Sequence, residues 1–235
     1  MADITLYTFS TPNGTKASII LEELCLPYKT VLVNIAKNEQ KQDWYLKINP
    51  NGAIPAILDG NRRVFESGAI ILYLAQKYDA EGKISYAPGT PEYTEQLSWL
   101  MFHMGGVGPM QGQAHYFCIF SNVKSEYAIE RYLNETKRLY SILDSRLKES
   151  PYLAGDKYTI ADIANFSFVH AASAFLEIDI SEWPALKRWV ERIGQREAVK
   201  KGLAVPAGGM GPEVAAEFLR KGRERINAMA NTDRY

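Results

Sequence analysis

Asn49-Pro-Asn-Gly-Ala-Ile-Pro-Ala-Ile-Leu-Asp-Gly-Asn-Arg-Arg-Val-Phe-Glu-Ser-Gly-Ala69 is the stretch on which the fold turns. Ile54-Pro-Ala-Ile-Leu58 and Arg62-Arg-Val-Phe65 are short apolar runs separated by Asp59-Gly60, the pattern of a β-hairpin. Pro55 opens the first run, where a residue without an N–H is tolerated either at a sheet edge or next to a cis bond, which X-Pro alone adopts cheaply. A cis Ile54-Pro55 bond would leave the Ile54 N–H and C=O free to pair with an extended peptide. Directly after the hairpin, Ser67 is placed as the N-cap of an apolar helix, Ala69 to Tyr78. The positive end of such a helix holds a carboxylate and Glu66 meets an ammonium, so the pair suits a zwitterionic α-amino acid group. The plainer alternative is a helix cap and nothing more.

Upstream of this stretch the chain alternates between strand and helix. Ile4-Thr-Leu-Tyr-Thr-Phe9 has strand character, Thr11-Pro-Asn-Gly14 breaks it, and Lys16 to Cys25 carries Ala17, Ile20, Leu21 and Leu24 on one helical face. Tyr28 to Val33 is a second strand and Glu39 to Ile48 a short polar helix, giving the order β-α-β-α-β-β-α, an α/β domain over residues 1–80. From Asp79 to Pro91 the pattern lapses, with Pro88-Gly-Thr-Pro91 marking a linker. Beyond it every apolar run has helical period. Helices are expected from about Glu92 to Met104, after an interruption at Gly105-Gly-Val-Gly-Pro109 onward to Phe120, then Tyr127 to Ser150, Ala161 to Leu176, Trp183 to Gly194 and Arg196 to Leu203. Residues 90–204 therefore form an all-α bundle. The Gly/Pro-rich segment Val205 to Pro212 sets off a tail, 205–235, with an amphipathic helix at Glu213 to Met229.

The composition narrows the functions open to the chain. Of its 235 residues, 46% are apolar and 23% charged, and Lys+Arg and Asp+Glu both number 27. No net field recruits nucleic acid or an anionic membrane, so an anion site must be local. No apolar run approaches the ~20 residues that span a bilayer, and a cytoplasmic protein is expected. Cys25 and Cys118 fit neither a disulfide framework nor a zinc site, and the expectation for both is a reduced, mostly buried small hydrophobe. His103, His115 and His170 lack metal-site spacing, so no metal is expected.

Three further segments bear on chemistry. At the first strand-to-helix junction, Ser10-Thr-Pro-Asn-Gly14 places hydroxyl and amide groups where a thiolate is stabilised, yet the loop holds no cysteine. Either Thr11 or Asn13 simply caps the helix, or the thiolate belongs to a substrate. Thr159-Ile-Ala-Asp162 is a capping box heading an apolar helix, a structural feature. His103 to Phe117 carries three glycines and a proline at 105–109 within helical pattern, which implies either a cleft wall that something approaches closely or a packing kink.

Taken together, Thr11-Pro-Asn-Gly, Asn49-Pro-Asn-Gly-Ala-Ile-Pro-Ala, Phe65-Glu-Ser-Gly-Ala-Ile and Ile160-Ala-Asp-Ile make the chain up to about residue 204 resemble the glutathione transferase superfamily. Thr11-Pro-Asn-Gly, Gly105-Gly-Val-Gly-Pro-Met-Gln-Gly-Gln and Tyr127-Ala-Ile-Glu-Arg-Tyr are similar to its bacterial nu-class disulfide-bond reductases and the fungal nitrogen-regulator-like transferases. The resemblance implies a thioredoxin-like N-terminal domain, an all-helical C-terminal domain and a homodimer, with residues around Trp99, Phe102 and Phe65 at the interface. It further implies that Ile54, before cis Pro55, pairs with the cysteinyl unit of glutathione, that Glu66 and Ser67 hold the γ-glutamyl end and that Gln40 contacts the glycyl end. Asn13, with Thr11, would serve the sulfur, and Arg131 would approach glutathione, within its own subunit or from the partner subunit.

Many transferases place Tyr, Ser or Cys at the sulfur, whereas Pro12 and Asn13 occupy that neighbourhood here and Tyr7 lies in the strand pattern, where packing is its expected role. The expected function is therefore a glutathione-dependent disulfide oxidoreductase acting on a small disulfide. The enzyme alternatives are conjugation of glutathione to an electrophile and hydroperoxide reduction. A non-catalytic glutathione-binding regulator is the weaker expectation, because the fungal regulators carry a long Asn-rich extension and this chain starts close to its first strand.

Overall fold

The computed structural model describes residues 2–207 together with Arg220 and Glu224, the side chains of 173–175 excepted. The expected tail helix, Glu213 to Met229, lies outside the described residues. In the first part, β1 (Ile4–Thr8) leads to α1 (Pro12–Glu23) and β2 (Tyr28–Leu32). Two 3-10 turns, Ile35–Lys37 and Glu39–Lys41, precede α2 (Asp43–Leu46), so the polar helix expected over 39–48 is shorter and divided. Then come β3 (Ala56–Asp59), β4 (Arg62–Phe65) and α3 (Ser67–Tyr78).

The strands form one sheet in the order β2-β1-β3-β4, with β1 parallel to β2 and antiparallel to β3. A parallel pair needs a crossover, which α1 supplies. Gly60, at φ +57°, starts the two-residue loop that closes the β3–β4 hairpin between the paired Asp59 and Arg62. Side chains alternate across the sheet. Ile4, Leu6 and Ile57 pack on α1 and α3 in the main core, while Tyr7, Ala56 and Phe65 meet Tyr45 of α2 on the opposite face. Tyr7 thus has the packing role expected of it, its ring 6.3 Å from that of Tyr45.

The second part is helical: α4 (Pro91–Phe102), α5 (Gly108–His115), α6 (Glu126–Glu149), α7 (Ile160–Leu176), α8 (Pro184–Gly194) and α9 (Glu197–Leu203). The connection between the two parts is pinned. Asp79 accepts from the backbone of Lys83 and Ile84 and from the Ser85 hydroxyl, and Lys157 donates to the carbonyls of Gly82 and Ser85. Thr159 and Asp162 form the expected capping box at the head of α7, and Asp162 also accepts from the Trp189 indole and the Leu153 N–H.

The expected interruption at 105–109 is instead continuous helix, widened. His103–Val107 and Tyr116–Phe120 are π turns on either side of α5. Gly108 donates to the His103 carbonyl, five residues back. Pro109 has no N–H to give and its ring clashes with a regular turn, so the wider turn absorbs it without breaking the helix. The two parts share one core. α9 lies on α1, where Gly202 has no side chain to spare: a Cβ there would be 2.7 Å from Ile19 Cα. The Ser18 hydroxyl donates to the Gly202 carbonyl at 2.7 Å. No helix among the described residues is long and apolar enough to cross a membrane.

Candidate functional site

Between the sheet part and the helical part lies a cleft of about 530 Å³ whose lining includes Asn13, Lys16, Glu66, Ser67, His103 and Met104. Each wall follows from local structure. Thr11 is the N-cap of α1, accepting the Gly14 N–H at 3.2 Å, with Pro12 at the first helical position. That cap leaves Asn13 exposed at the mouth of the cleft. Thr11 therefore sets the helix start, and of the two it is Asn13 that lines the cleft.

Opposite stands the start of α3. Ser67 is its first helical residue, not its cap as the sequence pattern suggested. The cap position belongs to Glu66, held at φ 70° and ψ 121°, a region that residues other than glycine rarely occupy. With β4 ending at Phe65 and α3 starting at Ser67, one residue must reverse the chain, and Glu66 carries that strain. Such strain persists where surrounding structure over-determines it, commonly at functional sites. The Glu66 carboxylate accepts from the Asn51 amide at 3.2 Å, and Ile70 is the first α3 residue to donate into the helix, to the Glu66 carbonyl. The N–H groups of Ser67, Gly68 and Ala69 thus point out at the positive end of a twelve-residue helix. Gly68 permits the cleft its width, since a Cβ there would come 2.9 Å from the Met104 sulfur.

The Ile54–Pro55 bond is cis. β3 starts at Ala56, and the Ile54 N–H and C=O make no hydrogen bond among the described residues. Tyr45 and Asn49 both donate to the neighbouring Ala53 carbonyl, fixing the turn. Gln40 lies against this turn at Gly52 and is not part of the cleft lining; its side-chain oxygen is buried without a partner. Arg131 lies elsewhere within the chain. It is exposed on α6 in a separate groove of about 580 Å³, shared with Met110, Glu130 and Arg138.

The far wall is the widened helix: Gly108, Pro109, Gly112, Gln113 and Tyr116 line it. It is anchored from behind by Gln111, which donates to the Phe168 carbonyl at 2.8 Å and accepts from the Tyr140 hydroxyl at 2.7 Å. The sequence reading placed His103 only within a possible cleft wall, and it left out Lys16 and the contact between the two. Lys16, 1% exposed, places Nζ 2.8 Å from His103 Nε2, with the Phe168 ring over both. Burial pulls the Lys16 amine down to about 7, against the opposing pull of Glu66. Burial, followed by the nearby Lys16, holds His103 well below the usual imidazole range, with Asn165 opposing. Lys16 lies one helical turn beyond Asn13, a spacing that could have flagged it.

Neither cysteine lines the cleft. Cys118 is buried as expected, but Cys25 is exposed, because it terminates α1 in a left-handed conformation with φ 50°.

Residues 2–76 match the family model described as glutathione S-transferase, N-terminal domain, and residues 107–197 that of the C-terminal domain. Disulfide-bond oxidoreductase YfcG of Escherichia coli is 42% identical over 207 residues, covering 85% of this chain and 94% of that protein. Glutathione S-transferase 1 of Schizosaccharomyces pombe is 40% identical, over 77% of this chain and 80% of that protein. Among solved structures, a Lodderomyces elongisporus glutathione transferase homologue with two glutathione molecules per subunit superposes with a TM-score of 0.85 at 43% identity, covering 88% of this chain and all of that one. The transferase URE2P6 of Phanerochaete chrysosporium, in complex with oxidized glutathione, gives 0.82 at 42%, covering 85% and 94%.

Proposed function

The chain belongs to the glutathione S-transferase family, and from that premise we propose that it is a glutathione-dependent disulfide-bond oxidoreductase in which bound glutathione supplies the reacting sulfur. The observation that carries this is a cleft lined by Asn13, Glu66 and Ser67 that has no cysteine among its lining residues. Glutathione would lie extended across the mouth. Its cysteinyl backbone would pair with the unbonded N–H and C=O of Ile54 beside Pro55. Its γ-glutamyl carboxylate would meet the α3 N-terminus at Ser67 and its ammonium Glu66. Gln40, behind the turn at Gly52, would take the glycyl end.

The thiol then falls beside Asn13. A free thiol, with a pKa of about 8.5, is only slightly ionised at neutrality, and an amide donor at a helix N-terminus favours the thiolate. The thiolate attacks one sulfur of a small disulfide, forming a mixed disulfide and expelling the other half as thiolate. A second glutathione thiolate attacks the mixed disulfide, forms oxidised glutathione and expels the remaining half. Relatives named disulfide-bond oxidoreductases, and a homologue holding two glutathione molecules per subunit, support this sequence of steps. Conjugation to electrophiles would use the same thiolate, but the redox pair is favoured by an amide, Asn13, at the sulfur position. We further propose a homodimer in the cytoplasm, in which Arg131, remote from the cleft of its own chain, serves that of its partner.

The test is reduction of a small disulfide by glutathione with Cys25→Ala/Cys118→Ala. Activity equal to the wild type is expected. Activity lost in this variant alone would overturn a glutathione-borne sulfur, and inactivity of both proteins would overturn the reductase. Asn13→Ala should lower turnover ~10-fold or more, the worth of a hydrogen bond to a charged group.

A further inference from the structure

Lys16 and His103 are two buried titratable groups to which the steps above give no task. Both side chains are at most 1% exposed, yet both line the cleft. A lysine taken out of water without a carboxylate partner is costly, and an apolar side chain of the same length would pack there at less expense. The site is shaped around the pair. The Phe168 ring centre lies 4.9 Å from Lys16 Nζ and 5.0 Å from the His103 ring. His103 continues the register of α4 as the first residue of the π turn, and Gly108 gives it room, since a Cβ there would stand 3.2 Å from its Nε2. His103 Nδ1 is buried beside the Asn165 amide and makes no hydrogen bond of good geometry among the described residues.

Two nitrogens 2.8 Å apart in a buried place do not both carry positive charge. When Lys16 is an ammonium, His103 Nε2 accepts from it; when Lys16 is an amine, the ring can donate in return. The pair therefore holds one mobile proton. Lys16 Nζ, with His103 as its single hydrogen-bond partner among the described residues, has further capacity toward the cleft. Among the described residues other charges around it are few. Glu66 faces it from the head of α3, and Tyr116 lines the opposite wall. From α7 it meets Phe168, and Asn165 lies beside His103, while His170 stacks on Phe166 and Asp162 is bound by Thr159 and Trp189. On α9, Glu197 pairs with Lys200 at the surface, Lys201 is exposed and Arg196 pairs with Glu23 at the far end of α1.

We propose that Lys16, held by His103, takes the thiol proton of a glutathione bound at Asn13 and returns it to the thiolate that leaves the disulfide. The inference rests on the reductase reading and deepens it. In the first half, the thiol gives its proton to the Lys16 amine, leaving thiolate and ammonium. The thiolate's electron pair forms the new S–S bond as the old one breaks, and the departing thiolate takes the proton from Lys16. The amine so regenerated accepts the proton of the second glutathione, and the cycle closes with one disulfide reduced and one glutathione disulfide formed. His103 is a positioning residue, since it acts through Lys16. An amine brought down to about 7 by burial suits a group that must both accept and return a proton near neutrality.

The test uses the full chain with glutathione and Lys16→Met. Near pH 8 the wild type should show thiolate absorbance at ~240 nm on binding glutathione, while calorimetry in two buffers of different ionisation enthalpy shows little proton passing to solvent. In Lys16→Met the bound thiol should titrate ~1 unit or more higher. Its disulfide turnover should fall ~100-fold at pH 7 and recover as the pH is raised. Release of a full proton by the wild type, or a Lys16→Met pH profile superimposable on the wild type, would overturn the relay and leave the reductase standing. A wild type that neither binds glutathione nor reduces disulfides would overturn both.

Discussion

Gln111 is the side chain by which the helical part holds the cleft wall in place, and its replacement by Met should destabilise the protein by an amount its partners set. The side chain is fully buried and makes two hydrogen bonds, from Tyr140 at 2.7 Å and to the Phe168 carbonyl at 2.8 Å. Met preserves length and volume, so the cavity contribution is small. The Phe168 carbonyl lies within α7 and keeps its helical donor, which limits the loss on that side. The Tyr140 hydroxyl has no such alternative in a core where it is 0% exposed. Leaving one buried hydroxyl orphaned costs ~1–3 kcal/mol, and with the weaker second bond the total comes to ~2–3 kcal/mol. In a chain of this length that lowers Tm by ~4–12 °C. Urea unfolding of Gln111→Met, Tyr140→Phe and the double variant forms the cycle that isolates the pair. The double variant should recover ~1–2 kcal/mol relative to Gln111→Met alone, because no orphaned hydroxyl remains. A double variant no more stable than the Gln111→Met single variant would refute an energetic role for this bond.

Arg196→Ala removes a two-pronged pair to Glu23, both contacts at 2.7 Å, and the guanidinium stacked 4.1 Å over Tyr158. Because Glu23 is nearly buried and Arg196 is 38% exposed, solvent screening reduces the loss to ~1–2 kcal/mol, read as a shift of the urea midpoint. His115 is pushed down to about 4 by burial. Its folded value lies below its unfolded one, so the stability it contributes is whole above pH ~6.5 and is lost as the pH falls toward 4. Up to ~3 kcal/mol should vanish across that window, and His115→Gln should flatten the decline in unfolding free energies measured from pH 7 to 4.

Much of the fold was legible because its signals are local. The hairpin at 54–65, the capping box at Thr159 and Asp162 and the strand-helix alternation of the first eighty residues each depend on neighbours within a few positions. The same holds for the half of the cleft built from turns: Asn13 follows from the break after β1, and Glu66 from the junction of β4 and α3. The one-residue error at Ser67 has a physical origin. Serine is the favoured cap, and only the two fixed ends, Phe65 and the start of α3, force Glu66 into the positive-φ position that takes the cap from it. Cys25 was misjudged for a similar reason, since the left-handed end of α1 turns outward a residue type that is usually buried.

What was missed is a contact between residues far apart in sequence. Lys16 and His103 lie 87 positions apart, and no periodicity reports a contact between an α/β part and a helical one. Helical period fixes the face on which Lys16 lies, yet what that face meets depends on the turn by which α4 continues into α5. The glycines and proline at 105–109 signalled that something unusual happens there, but not whether the helix breaks or widens. Widening keeps the chain helical: the His103 N–H still donates back to Trp99 in the register of α4, while its carbonyl accepts from Gly108, so the extra residue shifts the phase of α5 and sets Gly108 against the His103 ring. The feature least readable in the sequence is thus the one that leaves room for the ring of the second titratable group beside the amine.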